Sequence, residues 1–211
     1  PSNGGARKAI TEYLKTLTSK NAPYDKGDLS PRAKKGEALF KGKAGCYRCH
    51  SGALFSDGKA HNTGVPENLD VFLDPLRHQT FIAFNMFMGI PDYLTLKRDV
   101  GAHVQTHKAD GSDRGKFMTP TLRELKYTAP YMHNGTLTSL KDVVAFYNKG
   151  GGEDSNKDPR IKPLNLTATE QQALVAFLES LSGEALTGRQ YVWLEYDFDY
   201  EYTEDWNNAR N

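Results

Sequence analysis

The chain has 211 residues, 38% of them hydrophobic, and a formal net charge of +1 at pH 7, which suits a packed core without a broad positive field. A near-neutral chain has no global electrostatic attraction for nucleic acid, and no apolar run approaches the roughly 20 residues of a membrane-spanning helix. Nucleic-acid-binding and membrane-spanning proteins are therefore the classes that composition excludes.

The first two predicted helices precede the cysteines. Residues 6–18 carry one apolar helical stripe, with almost nothing before it to serve as a packing partner. Ser30-Pro31 is typical of an N-cap followed by proline in the first turn, and it predicts a second helix that runs through Phe40. The stripe of the first helix consists of Ala6, Ile10, Tyr13, Leu14 and Leu17.

A Cys-Tyr-Arg-Cys-His run begins at Cys46 and contains both cysteines of the chain. In this arrangement two thiols can add to the vinyl groups of haem while the adjoining histidine binds the iron. We therefore predict one covalent haem c on Cys46 and Cys49, with His50 as the proximal ligand. A redox dithiol would need a βαβ pattern around it. A zinc site would need a second cysteine pair or a nearby histidine pair, and His103 and His107 lie far downstream.

The segment that follows the haem motif is rich in glycine and small polar residues. We expect residues 51–66 to wrap the haem as a loop, in which His61 forms hydrogen bonds rather than binding metal. Residues 76–88 predict a buried helix, although their aromatic and β-branched content also permits a strand.

A long connection follows over residues 89–116, where the sequence has no clear period. Connections of this length are often functional or mobile. Its two histidines, His103 and His107, are expected to be solvated loop residues, with metal binding as the alternative reading.

Two further helices complete the predicted fold. Thr138 is predicted to cap a helix whose buried stripe includes Tyr147, so this tyrosine turns inward, and a Gly-Gly-Gly run ends the helix. A capping box of Thr167 and Glu170 opens the last helix, which we expect to end at Gly183. Helices and long loops around a haem predict an all-α, cytochrome c-like architecture.

We divide the chain into a first helix over 1–20, a haem domain over 21–188 and a tail over 189–211. Between Glu195 and Tyr202 acidic and aromatic residues alternate strictly, so an extended strand would place every ring on one face. We expect this acidic, aromatic tail to fold back over its own domain or to lie on a partner chain.

Five stretches occur in a distinctive order along residues 6–183. They are Ser30-Pro-Arg-Ala-Lys-Lys-Gly-Glu-Ala-Leu-Phe, His61-Asn-Thr-Gly, Lys116-Phe-Met-Thr-Pro-Thr-Leu-Arg, Thr128-Ala-Pro-Tyr-Met-His-Asn-Gly and the helix within 138–152. Together they resemble the C-terminal haem domain of the bacterial dihaem cytochrome c peroxidase and MauG family. Taken in order, these motifs are far more specific than Cys-x-x-Cys-His alone.

The resemblance implies a second haem outside this chain. In the family, one haem in the first domain meets peroxide, and a six-coordinate haem in the second domain passes or stores electrons. The chain resembles only the second domain, and residues 1–20 look like the last helix of the first. The sixth ligand is a methionine in the peroxidases and a tyrosine in MauG-like enzymes, and the matching residue here is Tyr147. Its rivals are Met118, Met132 and His133.

A tyrosine ligand implies a MauG-like role. An anionic phenolate donates charge to iron, which lowers the reduction potential and stabilises ferric or higher states. MauG-like proteins use such oxidising equivalents on tyrosine or tryptophan side chains of a partner protein. Ala44 stands where the methylamine-related enzyme uses a tryptophan for hole transfer, which implies a different exit route or substrate.

Four more site residues follow from the resemblance. A calcium ion between the two domains of the family is held in part by backbone carbonyls, here those of Thr128 and Pro130. Arg123 and His133 are expected to bind haem propionates or ordered water, with ordinary structural hydrogen bonding as the alternative.

We therefore expect an electron- or hole-storing haem subunit of a peroxide-dependent oxidoreductase, whose peroxide-reactive haem lies on another chain or segment. Its expected partners are that second haem-bearing chain or domain and a redox protein or protein substrate. A stand-alone electron-transfer cytochrome c is the alternative. Covalent haem attachment normally takes place outside the cytoplasm, and no leader opens the sequence, so we expect the mature form of an exported, periplasmic protein.

Overall fold

The computed structural model describes residues 3–16 and 21–184. In these residues, eight α-helices and one two-stranded sheet are joined by long loops, which confirms the all-α class. The sheet pairs β1 (Ala60–His61) antiparallel with β2 (Phe117–Met118). The helices are α1 Asn3–Thr16, α2 Pro23–Lys26, α3 Pro31–Lys41, α4 Leu69–Leu73, α5 Pro75–Phe87, α6 His103–Thr106, α7 Leu140–Asn148 and α8 Ala168–Glu179.

The first predicted helix is confirmed as α1, which ends at Thr16. Leu17 of its predicted stripe, and the alternating tail between Glu195 and Tyr202, lie outside the described residues. None of the described helices combines the length and the apolar character needed to cross a membrane.

The N-termini of α3 and α7 are fixed by local capping bonds. The Ser30 side chain accepts a hydrogen bond from the amide of Ala33 at 3.1 Å, as the Ser-Pro pair predicts. At α7 the predicted cap is wrong by one residue: Ser139, not Thr138, accepts the bond from the Asp142 amide at 3.1 Å. Ser139 has the extended backbone of an N-cap, whereas the Thr138 hydroxyl reaches only the Asp142 carboxylate.

Helix α8 opens with the predicted capping box, in which Thr167 and Glu170 bond to each other's amides. It ends at Glu179, so the expected end at Gly183 is wrong. The carbonyl of Ser180 accepts a hydrogen bond from the Tyr24 amide at 3.1 Å, which ties the end of α8 to the segment before α3.

The core lies where α3 packs on α8. Gly36 faces this contact: a Cβ atom there would lie 2.7 Å from Cβ of Phe177 and would collide with the carbonyl of Ala173. Only glycine therefore permits this helix spacing. The ring of Phe177 is completely buried and lies 5.1 Å from that of Phe40 and 6.3 Å from that of Phe55, measured between centroids.

Residues 75–87 form helix α5, which confirms the helical reading over the strand. The expectation that this helix is buried is wrong. Asn85 is its only buried residue, and a small cluster of Ile90, Leu96 and Val100 lies apart from the main core. The large apolar residues of α4, α5 and the following segment that stay more than half exposed are Leu69, Leu73, Leu76, Phe84, Met86, Phe87 and Leu94.

The long connection contains an unexpected buried histidine. His103 begins the short helix α6, is only 6% exposed, and places Nδ1 2.7 Å from Oδ1 of Asp113. The expectation of a solvated loop residue is therefore wrong for His103, because a carboxylate ten positions later satisfies its buried ring. His107 follows α6 and is exposed, as expected.

Candidate haem site

The haem motif forms a tight 3₁₀ turn directly after α3. The turn spans Cys46–Arg48, and the amides of Cys49 and His50 both donate to the carbonyl of Cys46, at 3.2 and 2.9 Å. Gly45 precedes the turn with a φ of 62°, a left-handed conformation that suits glycine. The turn thus presents both cysteines and the histidine on one short segment.

The ring of His50 is held in the orientation that an iron ligand needs. Its Nδ1 donates a hydrogen bond to the backbone carbonyl of Phe55 at 2.9 Å, so the proton sits on Nδ1 and Nε2 keeps its lone pair. Burial lowers the pKa of His50, which favours the neutral imidazole that binds metal. The residue present therefore fits a proximal haem ligand.

The cysteines do not behave as a redox pair. Burial raises the pKa of Cys46 to about 11 and also raises that of Cys49. Catalytic dithiols instead carry a lowered pKa, because the thiolate is the reactive form. The raised pKa values therefore argue against a reactive dithiol at this position.

Among the described residues, one cluster of at least three ligand side chains bears on the zinc alternative. Ligand atoms of Cys49, Asp57 and His61 lie within 4.8 Å of one another. Both ring nitrogens of His61 are already engaged, Nε2 with Asp57 at 2.9 Å and Nδ1 with Asp158 at 3.0 Å. A metal ion at this place would have to break one of these bonds, and it would compete with haem for Cys49.

Tyr147 lies in the last turn of α7 and faces the haem motif. Tyr147 is half-buried, and the pKa of its phenol is raised to about 12, mainly by desolvation and to a smaller extent by the charges of Cys46 and Cys49. A hydrogen bond with the Thr63 side chain acts in the opposite direction and lowers this pKa. Tyr147 therefore combines a desolvated phenol, an electrostatic interaction with the attachment cysteines and a hydrogen-bonding partner.

The loop that carries Thr63 packs directly on the end of α7. The amide of Gly152 donates to the carbonyl of Thr63 at 3.1 Å, and a Cβ atom on Gly64 would lie 2.6 Å from the carbonyl carbon of Gly152. The two backbones touch because both positions are glycine. This contact fixes Thr63 relative to Tyr147.

A charged network surrounds His61, which confirms its expected hydrogen-bonding role. Besides its two carboxylate partners, its Nδ1 lies 2.8 Å from Nη2 of Arg160. A hydrogen bond from Arg160 is the main cause of the lowered pKa of Asp158. Asp57, Asp158 and Arg160 all act electrostatically on Cys49, so this network borders the haem attachment point.

Known proteins resemble this chain over most of its length, although no protein-family model matches it. Cytochrome-c peroxidase IdrP2 of Pseudomonas sp. (strain SCT) is 51% identical over 184 residues, 84% of this chain and 48% of that protein. The methylamine utilization protein MauG of Methylorubrum extorquens is 34% identical over 182 residues, 83% of this chain and 43% of that protein. The chain belongs to the cytochrome-c peroxidase and MauG family.

Solved structures of this family share the fold. A MauG-like protein associated with microbial copper homeostasis aligns with a TM-score of 0.60 at 26% identity, over 79% of this chain and 49% of that one. The diheme peroxidase BthA from Burkholderia thailandensis aligns with a TM-score of 0.55 at 22% identity, over 77% of this chain and 46% of that one. This peroxidase-family chain spans about half the length of the curated relatives it matches.

The three rival ligands of this family member differ in environment. The side chain of Met118 on β2 is 70% exposed, whereas Tyr147 is half-buried. His133 is exposed and stacks on Phe117, with 3.6 Å between ring centroids, and partial desolvation lowers its pKa. Met132 is half-buried and has a left-handed backbone, with a φ of 71°.

Arg123 makes structural contacts with residues that surround the haem motif. Its guanidinium bonds to Asp25 at 2.6 Å and to the carbonyl of Ala53 at 3.0 and 3.1 Å, and it packs over the rings of Tyr24 and Phe55. These contacts correspond to the structural alternative for this residue. They hold the segment after the haem motif against the aromatic core.

The two carbonyls expected at a calcium ion lie on an exposed turn. Thr128 and Pro130 are both exposed, and no hydrogen bond between described residues uses either carbonyl oxygen. Free backbone carbonyls are suitable ligands for a hard cation.

Sequence reasoning missed two groups of this site, Thr63 and the Phe55 carbonyl. Thr63 belongs to the His61-Asn-Thr-Gly stretch that carries the family resemblance, and this membership was the sequence feature that could have indicated its role. The Phe55 carbonyl is a backbone group and leaves no residue-type signal.

Proposed function

We propose that the chain is the electron- or hole-storing haem unit of a peroxide-dependent oxidoreductase in the periplasm. In this proposal Cys46 and Cys49 attach one haem c, and His50 and Tyr147 bind its iron. The observation that carries it is the desolvated phenol of the half-buried Tyr147, whose pKa is raised by the charges of both attachment cysteines. When bound, haem c supplies a one-electron centre, and a phenolate ligand favours its oxidised states.

Three residues of this chain prepare the two ligands. The carbonyl of Phe55 holds the Nδ1 proton of His50, so the imidazole binds through Nε2 in a fixed orientation. Tyr147 must release its phenolic proton to bind as an anion, and burial opposes this release. Thr63 offsets part of that cost through its hydrogen bond.

Further protein is required for the peroxide reaction in this proposal. Residues 21–188 form the storing domain, residues 1–20 end a preceding haem domain, and residues 189–211 contact a partner or fold back. The exposed apolar residues of α1 support a neighbouring domain, since they have no cover among the described residues; they are Ile10, Tyr13 and Leu14. A calcium ion on the carbonyls of Thr128 and Pro130 would join the two domains.

The tyrosine places the chain nearer to the MauG-like branch in this proposal, although its identity with IdrP2 is higher than with MauG. A protein side chain is then the substrate that the stored equivalents oxidise. Ala44 has no aromatic ring that could be oxidised, so the route of the hole to that substrate must use other residues.

The ligand assignment is tested with Tyr147→Phe. This change removes the phenol oxygen and keeps the ring, so the ferric absorption and EPR spectra should change from six-coordinate toward high-spin. Tyr131→Phe is the matched control, because its hydroxyl donates to the Leu125 carbonyl at 2.7 Å within the core. A Tyr147→Phe spectrum identical to the wild type would eliminate this ligand.

The storing role is tested by native mass spectrometry on the intact purified assembly, with chains and covalent haems counted together. A partner or further segment that carries a second haem supports the peroxide-dependent unit. A single chain with one haem would instead identify a stand-alone electron-transfer cytochrome, and the peroxidase role would fail.

A further inference from the structure

An open cavity of about 250 Å³ lies between the segment after α5 and the end of α6. It shares no residue with the haem motif, the Thr63 loop or α7. Gly89, His103, His107, Lys108 and Arg114 are among its lining residues. Two histidines four positions apart therefore face one concave space.

The buried carboxylate of Asp113 fixes the protonation of His103. Its Oδ1 accepts from Nδ1 of His103 at 2.7 Å, and its Oδ2 accepts from the Thr106 hydroxyl and from the Lys108 amide at 3.3 Å. These bonds orient the carboxylate and keep the His103 proton on Nδ1. Nε2 of His103 is therefore the ring atom left with a lone pair.

The pairing of His103 with Asp113 is the arrangement that metal-binding histidines use. A ligating imidazole commonly donates its other N–H to a carboxylate, which sets its tautomer and raises its basicity. Neither His103 nor Asp113 has a role at the haem site. The carboxylate thus prepares a ligand that the proposed haem chemistry does not employ.

His107 brings a second imidazole to the same cavity. It follows α6 with a left-handed φ of 46°, and its ring centroid lies 5.8 Å from that of His103, with an interplanar angle of 51°. Two imidazoles that share one metal at about 2.1 Å per nitrogen have ring centres roughly 5 to 6 Å apart. The observed separation falls within this window.

The charges that border the cavity do not oppose a cation strongly. The guanidinium of Arg114 is paired with Asp92, at 2.7 and 2.9 Å. Lys108 is exposed, so its flexible side chain can turn its ammonium into solvent. The buried carboxylate of Asp113 contacts the ring of His103 and adds a negative charge close to the cavity.

We propose that His103 and His107 bind one divalent transition-metal ion, with Asp113 as the positioning residue behind His103. Imidazole nitrogens suit Zn²⁺, Cu²⁺ and Ni²⁺ better than Ca²⁺ or Mg²⁺. Water molecules complete the coordination in the open cavity. The site is independent of the haem assignment.

Calorimetric titration of the haem-loaded chain with Zn²⁺ tests this site, since haem attachment removes Cys49 as a competing thiol. One equivalent should bind, His107→Ala should abolish this binding, and Asp113→Asn should weaken it tenfold or more. His78→Ala, in α5, is the control and should bind as the wild type does. The haem spectrum should be the same in all four proteins.

His107 is exposed, so its replacement leaves the fold intact and decides the question even if Asp113→Asn does not fold. Absence of one-to-one Zn²⁺ binding would overturn the proposal. Equal affinity in the wild type and His107→Ala would overturn it as well.

Discussion

The Thr63 side chain hydrogen-bonds to the phenol of Tyr147 and lowers its pKa, whereas burial, the larger effect, raises it, so that the pKa is about 12. Thr63 lies in the loop after β1, and Tyr147 lies in the last turn of α7. Contact between Gly64 and Gly152 holds these two segments together. The loop and the helix therefore jointly determine the pKa at which Tyr147 becomes an anion.

Thr63→Val should make Tyr147 easier to displace from iron by acid. The hydrogen bond favours the phenolate, so its loss raises the phenol pKa and moves the acid transition of the ferric spectrum to higher pH. A hydrogen bond worth about 0.5–1.5 kcal/mol corresponds to a shift of about 0.4 to 1.1 pH units. Spectroscopic pH titration measures this shift. Thr63→Ser keeps the hydroxyl and should titrate near the wild type, and equal transitions in Val and Ser variants would contradict the role of the bond.

Gly36→Ala should destabilise the chain by about 3 kcal/mol or more. The added methyl group would lie 2.7 Å from Cβ of Phe177 and would collide with the Ala173 carbonyl, which cannot move without separating α3 from α8. The higher helix propensity of alanine offsets at most about 1 kcal/mol of this destabilisation. Urea unfolding measures the change. The control is Gly5→Ala in α1, which meets nothing within 4 Å and should change stability by less than about 1 kcal/mol.

Features that depend on neighbouring residues were predictable from the sequence. Ser30 and the Thr167–Glu170 box cap their helices through bonds within one turn. The error at Thr138 arose because two adjacent hydroxyl residues compete for one cap. The end of α8 was mispredicted because the Ser180 carbonyl bonds to Tyr24, a partner distant in sequence.

The haem motif could be predicted from the sequence because its residue types and spacing define the chemistry. The hydrogen bonds to His50 and Tyr147 could not be predicted, because they come from the Phe55 backbone and from Thr63 on a different loop. The burial of His103 was missed for the same reason, since Asp113 satisfies it across a turn. Helix α5 was expected to be buried from its apolar content, which cannot reveal how little of the described chain covers it.

Phe177→Ala should cost about 3–5 kcal/mol, because the ring is fully buried and touches the rings of Phe40, Phe55 and Tyr24. Phe87→Ala is the matched control on the same residue type. Its side chain is 85% exposed, so truncation in the isolated chain should change stability by less than about 0.5 kcal/mol. Thermal unfolding of both variants compares them. If both variants lost a similar free energy of unfolding, the Phe87 side chain would have to be covered, which would contradict its described exposure.

Asp158→Asn should lower the free energy of unfolding at neutral pH. In acid the difference between the variant and the wild type should disappear. Asp158 is 12% exposed and accepts bonds from Arg160 at 2.6 Å and from His61 at 3.0 Å. Bonds of this kind to a charged group contribute about 1.5–3 kcal/mol, which the neutral amide would largely lose.

The Arg160 bond holds the pKa of Asp158 below its usual range, so the native state binds this proton less readily than the unfolded chain does. The stabilisation is therefore complete above the unfolded value of about 3.9 and declines as pH falls toward the native pKa. Urea unfolding at about pH 7, 4 and 2 should show the gap between wild type and variant narrowing. Glu12→Gln, at an exposed pair with Lys15, should show almost no gap at any pH. A constant gap for Asp158→Asn down to about pH 2 would mean that the loss comes from the amide NH2 group facing other donors and not from the missing charge.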